Sequence, residues 1–331
     1  MPVAVLGAGS WGTALAIQFA RGGRPVRLWG RNPERLADMA GARCNARYLP
    51  RVAFPPSLEV SADLQPALAG ARDVLIVVPS PALRELLVEL APHLAPAMHV
   101  AWATKGFEQG SGKLPHQVAR EVLGTERRIA VLSGPTFARE VGAGLPTAMT
   151  VASPDAAYAQ TLAHELSSEN FRAYTSTDIL GVEIGGAVKN ALAVGAGLSD
   201  GLGFGANTRV ALITRGLKEM TRLGVALGAR PETFMGLAGL GDLVLTCTDD
   251  ESRNRRFGLL LAAGRTPEAA LGEIGQVVEG YGAARAIAGV AMRAGVEMPL
   301  CATVYRVLYE KLPARDAVRA LMRRPIKPEA E

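Results

Sequence analysis

The sequence predicts an α/β protein in two parts: an N-terminal, doubly wound, mostly parallel sheet flanked by helices, then an all-helical domain. Three observations predict it. Short apolar runs alternate with helix-like stretches through the first half. The first of these runs opens into the glycine turn Gly7-Ala8-Gly9-Ser10-Trp11-Gly12. Beyond about residue 178, strand patterns give way to Ala/Gly/Leu-rich stretches with helical spacing. The boundaries are therefore 1–177 for the sheet domain, 178–322 for the helical domain and 323–331 for a frayed tail with two prolines and mixed charge.

Taken in order, Val3 to Leu6 is a buried-strand run, and Thr13 to Arg21 after the glycine turn has a helical apolar face. Val26 to Trp29 follows Gly22-Gly23 as a second strand. Asn32-Pro33-Glu34 then starts a helix, with Asn as N-cap and Pro in the first turn. Further strands are expected at Val74 to Val78, His99 to Ala103 and Ile129 to Leu132, with a helix at Leu83 to Leu90. Strands alternating with helices imply a parallel sheet covered on both faces. Past Asp178 the helical stretches are broken at Pro231, Pro267, Pro299 and Pro313.

A chain of 331 residues suits two domains at roughly 100 to 200 residues each. With 49% hydrophobic and 20% charged residues, it is globular and not disordered. The net charge of +5 suits an anionic ligand but is too small and scattered for a nucleic-acid binder. Cys44, Cys247 and Cys301 are far apart and odd in number, which argues against a disulfide framework or a zinc site and for a reducing cytoplasm. The N-terminus lacks a basic n-region. No apolar run approaches the about 18 residues of a membrane span, so neither secretion nor integral membrane insertion is expected.

Strand, glycine turn and helix together read as a Rossmann-type dinucleotide site. Gly7 permits the turn, Gly9 lets backbone amides approach a pyrophosphate, and Gly12 lets the helix pack close to the strand. Ser10 and Trp11 lie in the turn, where they can touch the cofactor; Trp11 reads equally as a core aromatic. NAD binders usually carry Asp or Glu after the second strand, whereas this chain has Gly30-Arg31-Asn32. Arg31 suits a 2′-phosphate and so favours NADP(H), with NAD(H) still usable if Arg31 only stacks on adenine.

Carbonyl reduction needs a proton donor. No tyrosine is followed four residues later by lysine, and the Cys and His spacings give no zinc alcohol-dehydrogenase site. The four histidines, His93, His99, His116 and His164, support a His-centred mechanism poorly. Only six lysines occur among 36 basic residues, so a Lys in an apolar setting invites a specific explanation. Lys189 lies in the small, apolar stretch Ile184-Gly-Gly-Ala-Val-Lys-Asn-Ala-Leu-Ala-Val194, where burial would lower its pKa toward the range useful for acid/base work. Lys105, in Trp102-Ala-Thr-Lys-Gly106, falls just beyond a strand's carboxyl end, where open parallel sheets bind ligands. Asp242 after Gly239-Leu-Gly241, with Ser252-Arg-Asn-Arg-Arg256, supplies a carboxylate and a polar, basic group able to hold phosphate.

Read in order, GAGSWG, WATKG, SGPTFA, GGAVKN, GLGD, SRNRRFG and GQVVEG resemble the prokaryotic NAD(P)-dependent sn-glycerol-3-phosphate dehydrogenases from Val3 to about Leu321. The resemblance implies a helical domain of the 6-phosphogluconate-dehydrogenase type. It also implies a cytoplasmic enzyme that interconverts dihydroxyacetone phosphate and sn-glycerol 3-phosphate for glycerophospholipid synthesis. It implies that Ser10, Trp11, Arg31, Tyr48, Lys105, Ala138, Arg253, Val277 and Glu279 meet the cofactor. Lys105, Gly134, Thr136, Lys189, Asp242, Ser252, Arg253 and Asn254 would meet the substrate, with Lys189 as proton acceptor in alcohol oxidation and Asn190 beside it. Two other readings stand beside it: a β-hydroxyacid dehydrogenase on the same fold, and a non-catalytic dinucleotide sensor. A helical domain rich in small residues is compatible with a homodimer.

Overall fold

A computed structural model of the chain describes residues 1–325, 328 and 329. The expected frayed tail, 323–331, lies partly outside the described residues. The described chain divides into two compact units. One comprises Met1–Gly186 with Glu232–Asp242, the other Ala187–Pro231 with Leu243–Glu331.

The first unit holds ten strands. They are β1 Val3–Leu6, β2 Val26–Trp29, β3 Cys44–Asn45, β4 Leu49–Ala53, β5 Leu58–Ser61, β6 Asp73–Ile76, β7 His99–Trp102, β8 Ile129–Ser133, β9 Thr147–Ala152 and β10 Phe171–Ser176. Eight form one sheet in the order β10-β9-β8-β7-β6-β1-β2-β5, while β3 and β4 form a separate antiparallel pair. All neighbours in the large sheet are parallel except β8 and β9. The sheet grows outward from β1 in both directions, so the switch point lies at the carboxyl ends of β1 and β6, where such sheets bind ligands. Alternate residues of β1 serve opposite cores: Val3 and Val5 pack with Leu15, Phe19 and Leu28, while Ala4 and Leu6 pack with Ile76, Leu87 and Trp102. Helices cover both faces, as the unbroken apolar strands require.

The regular elements of the second unit are all helices among its described residues. Its small residues allow close helix crossings: a methyl group on Gly197 would lie 2.0 Å from the carbonyl oxygen of Arg255, and one on Gly258 would lie 2.2 Å from that of Val194. The helical stretches are broken at the expected prolines, each of which stands at the start of the next helix. Pro231, Pro267 and Pro299 occupy first helical positions, and Pro313 caps Ala314–Met322.

One expectation is corrected. Helix Ile179–Gly201 is long and apolar enough to cross a membrane, though no run of that kind is evident from the sequence. It escapes notice because Glu183, Lys189 and Asp200 interrupt its apolar residues. Its apolar window is 89% buried inside the protein, as in a core helix.

Candidate active site

The glycine turn at the end of β1 is built by close approach. Gly7 has φ +124°, and a methyl group there would sit 2.2 Å from the carbonyl oxygen of Val77; one on Gly12 would sit 1.9 Å from that of Gly7. At Gly9 the same methyl group would meet nothing within 4 Å. The helix Ser10–Arg21 begins immediately after Gly9 with no side-chain cap. Its first-turn N–H groups and the helix dipole therefore suit a phosphate-bearing ligand, and the turn fits a dinucleotide.

Asn45, buried on β3, pins this turn: its amide donates to the carbonyl of Ala8 at 3.2 Å and to Thr13 Oγ1 at 2.8 Å. Sequence reasoning missed Asn45; the only signal was its place three residues before Tyr48. Tyr48 is half-buried against the sheet-domain core, with the Arg47 guanidinium 5.4 Å from its ring centroid. Trp11 is likewise half-buried against that core. Arg31, at the end of β2, is 68% exposed and 4.0 Å from an equally exposed Glu85, which leaves it available to a ligand.

A second cluster forms beyond the carboxyl ends of β7 and β8. Lys105 Nζ donates to Asp242 Oδ2 at 2.6 Å, and Asp242 is only 1% exposed. Two features set the backbone around Lys105. Thr104 Oγ1 donates to the carbonyl of Val78 at 2.7 Å, and Gly106 adopts φ +110°, which favours glycine. Asp242 follows a π-helical turn at Leu237–Gly241, a geometry often found at functional positions. The helix from Ile179 packs on this turn through Gly185, where a methyl group would lie 2.4 Å from the carbonyl oxygen of Ala238. Gly186 makes room for Lys105: a methyl group on it would meet the Lys105 Cγ and Ser133 Oγ, each at 3.3 Å. The glycine pair before Lys189 is therefore a packing device. Ser133 Oγ is buried with no hydrogen-bond partner among the described residues, which suits a site that takes a polar ligand. A methyl group on Gly134 would lie 2.9 Å from the Cα of Met149. Thr136 Oγ1 donates to the carbonyl of Gly134 at 3.3 Å, and Ala138 begins the helix Ala138–Ala143.

The helical unit holds a third cluster. Lys189 is 7% exposed, and its Nζ donates to Thr246 Oγ1 at 2.9 Å. The amide of Asn190 donates to Glu279 Oε2 at 3.0 Å, while Asn190 Oδ1 accepts from Asn254 at 2.8 Å. Asn254 Oδ1 in turn accepts from the backbone N–H of Gly280 at 2.9 Å, which ties GGAVKN, SRNRRFG and GQVVEG into one chain of hydrogen bonds. Val277, two residues before Glu279 in the chain, is half exposed. Ser252 acts as a helix cap, its Oγ accepting from the N–H of Arg255 at 3.2 Å. The arginines of this segment divide: Arg255 is buried and pairs with Asp200 at 2.8 Å and with Asp250, whereas Arg253 is half-buried with no carboxylate within 4.0 Å among the described residues.

Three of the four histidines lie elsewhere. His99 Nδ1 lies 3.3 Å from Asp73 Oδ1, at the amino ends of β6 and β7 and away from the ligand-binding edge; His93 and His164 are exposed.

Comparison with known proteins shows the family to which this chain is similar. Residues 2–159 match the N-terminal domain of NAD-dependent glycerol-3-phosphate dehydrogenases, and residues 178–319 match their C-terminal domain. A relative from Thioalkalivibrio sulfidiphilus, named glycerol-3-phosphate dehydrogenase (NAD(P)+), is 58% identical over 99% of this chain and 98% of its own length. One of the same name from Serratia proteamaculans is 56% identical over 98% and 96%. The crystal structure of glycerol-3-phosphate dehydrogenase from Coxiella burnetii superposes with a TM-score of 0.94 at 46% identity, covering 98% of this chain and 99% of that one. With both halves of its length matched, the chain belongs to the NAD-dependent glycerol-3-phosphate dehydrogenase family.

Proposed function

We propose that this protein interconverts dihydroxyacetone phosphate and sn-glycerol 3-phosphate, with Lys189 as proton donor in ketone reduction and proton acceptor in alcohol oxidation. The observation that carries this reading is Lys189 itself. An ammonium group held at 7% exposure on a helix of small apolar residues is costly to keep there, and family membership supplies the reaction that uses it. Bound NAD(P)H supplies the hydride to C2 of the ketone. Lys189 gives its proton to the C2 oxygen as negative charge develops on it, so that one hydride and one proton complete the alcohol.

Lys105, paired with Asp242, stabilises negative charge on the substrate; Asp242 keeps that ammonium oriented. Gly134 and Thr136 line the substrate, and Ser252, Arg253 and Asn254 receive its phosphate end. Arg253 is suited to this because no carboxylate among the described residues neutralises it. The turn Gly7–Gly12 with Ser10 and Trp11, together with Tyr48, Ala138, Val277 and Glu279, holds the cofactor, and Arg31 favours the 2′-phosphate of NADP(H). The product would enter glycerophospholipid synthesis in the cytoplasm.

The test is loss of NADPH absorbance, with NADH in parallel, when dihydroxyacetone phosphate is added to the purified protein. Rapid oxidation is expected, faster with NADPH. Turnover of unphosphorylated keto acids in its place would assign a hydroxyacid dehydrogenase. Cofactor binding with no turnover would leave a dinucleotide sensor.

A further inference from the structure

We infer that Glu183 is a positioning residue for Lys105, acting through the indole of Trp102. Glu183 lies on helix Ile179–Gly201, is 4% exposed and is not among the residues assigned to substrate or cofactor above. Its Oε1 accepts from Trp102 Nε1 at 2.9 Å and from the backbone N–H of His116 at 2.9 Å, while its Oε2 meets His116 Nδ1 at 2.5 Å. A carboxyl group this deeply buried is expensive unless its oxygens are satisfied, and both are. Burial pushes its pKa up, while the hydrogen bonds from His116 and Trp102 oppose that rise.

The geometry of the segment shows what these bonds do. Trp102 is the last residue of β7, and its fully buried ring is three residues from Lys105. Glu183 grips that ring. One helical turn later, Gly186 lies against the Lys105 stem. The helix therefore touches the Trp102–Lys105 segment at two points one turn apart: a hydrogen bond at Glu183 and a steric slot at Gly186. The first sets the register in which the second receives the lysine and delivers its Nζ to Asp242. His116, at the start of helix Pro115–Leu123, closes the arrangement from a third element.

This inference rests on the reading of Lys105 as a substrate-contacting group, and a double-mutant cycle separates the two. Lys105→Met should lower kcat/KM for dihydroxyacetone phosphate at least a hundredfold. Glu183→Leu should lower it about tenfold in the native background and leave it unchanged in the Lys105→Met background, because the effect passes through Lys105. Glu183→Gln, which keeps an acceptor for the indole, should recover to within about threefold. If Glu183→Leu does not fold, Trp102→Phe removes the same hydrogen bond from the other side and should show the same dependence on Lys105. An unchanged kcat/KM in Lys105→Met would overturn the reading of Lys105 and the inference with it. A large loss in Lys105→Met, multiplied in full by the second substitution, would overturn the role of Glu183 alone.

Discussion

At the residue scale, two arginines in one motif are separated by their partners. Arg255 is buried between Asp200 and Asp250 and holds the local structure together, while Arg253, two residues away, faces no carboxylate among the described residues. Arg253→Ala should therefore raise KM for dihydroxyacetone phosphate at least about tenfold, with a smaller change in kcat and an unchanged melting temperature. That magnitude is typical for loss of a charge-assisted hydrogen bond to phosphate. Steady-state kinetics checks it, and an unchanged KM would move phosphate recognition to other residues. The motif SRNRR exposes its basic character in sequence but not the division of labour within it. Asp200 stands 55 residues from Arg255, and no local pattern announces that pairing. Asn45 and Glu183 were illegible for the same reason. Each acts on a segment far along the chain, Glu183 on Trp102 at a separation of 81 residues. Lys105, Lys189 and Asp242, by contrast, stand out in the sequence, because a charged residue in a glycine-rich or apolar setting marks itself.

At the element scale, helix starts and the central strands were readable and the outer strands were not. Asn32 caps its helix as its sequence context implies, accepting from the N–H of Arg35 at 2.8 Å. Strands β1, β6, β7 and β8 each contain an unbroken apolar run of at least three residues, and β2 departs from one only at Arg27. By contrast β10, FRAYTS, is half exposed and polar at alternate positions, and β9 pairs antiparallel with β8, so neither carries the signature of a buried parallel strand.

Helix Pro299–Tyr309 shows a different kind of cap. Glu219, from helix Ala206–Ala226, accepts from the N–H groups of Leu300 at 2.6 Å and Cys301 at 3.1 Å. Burial pushes the Glu219 carboxyl up to about 7, against the lowering effect of those two bonds. A carboxyl whose pKa is raised by folding binds its proton more tightly in the native state. Its stabilising effect is fully present below the unfolded value of 4.5 and is lost as pH rises to about 7, by on the order of 3 kcal/mol. Glu219→Gln should flatten this part of the stability profile. Urea unfolding at pH 5 and pH 8 measures it: the native protein should lose more stability than the variant over that interval, and equal losses would show that Glu219 does not titrate there.

At the scale of the whole molecule, fold class was legible because two periodicities, strand runs between helices and then helices alone, occupy separate halves of the chain. The division into compact units was less so. The composition changes at the start of helix Ile179–Gly201, whereas the units part within that helix, after Gly186, and Glu232–Asp242 returns to the first unit. A continuous helix carries no sequence mark of such a division. The same helix provides Glu183, Gly186, Lys189 and Asn190.

The most direct measurement is therefore the turnover of dihydroxyacetone phosphate by Lys189→Ala with saturating NADPH, alongside NADPH binding by the same variant. Its kcat should be lower by at least about a hundredfold with binding retained, the loss expected on removing a positioned proton donor. Turnover near that of the native protein would contradict that role.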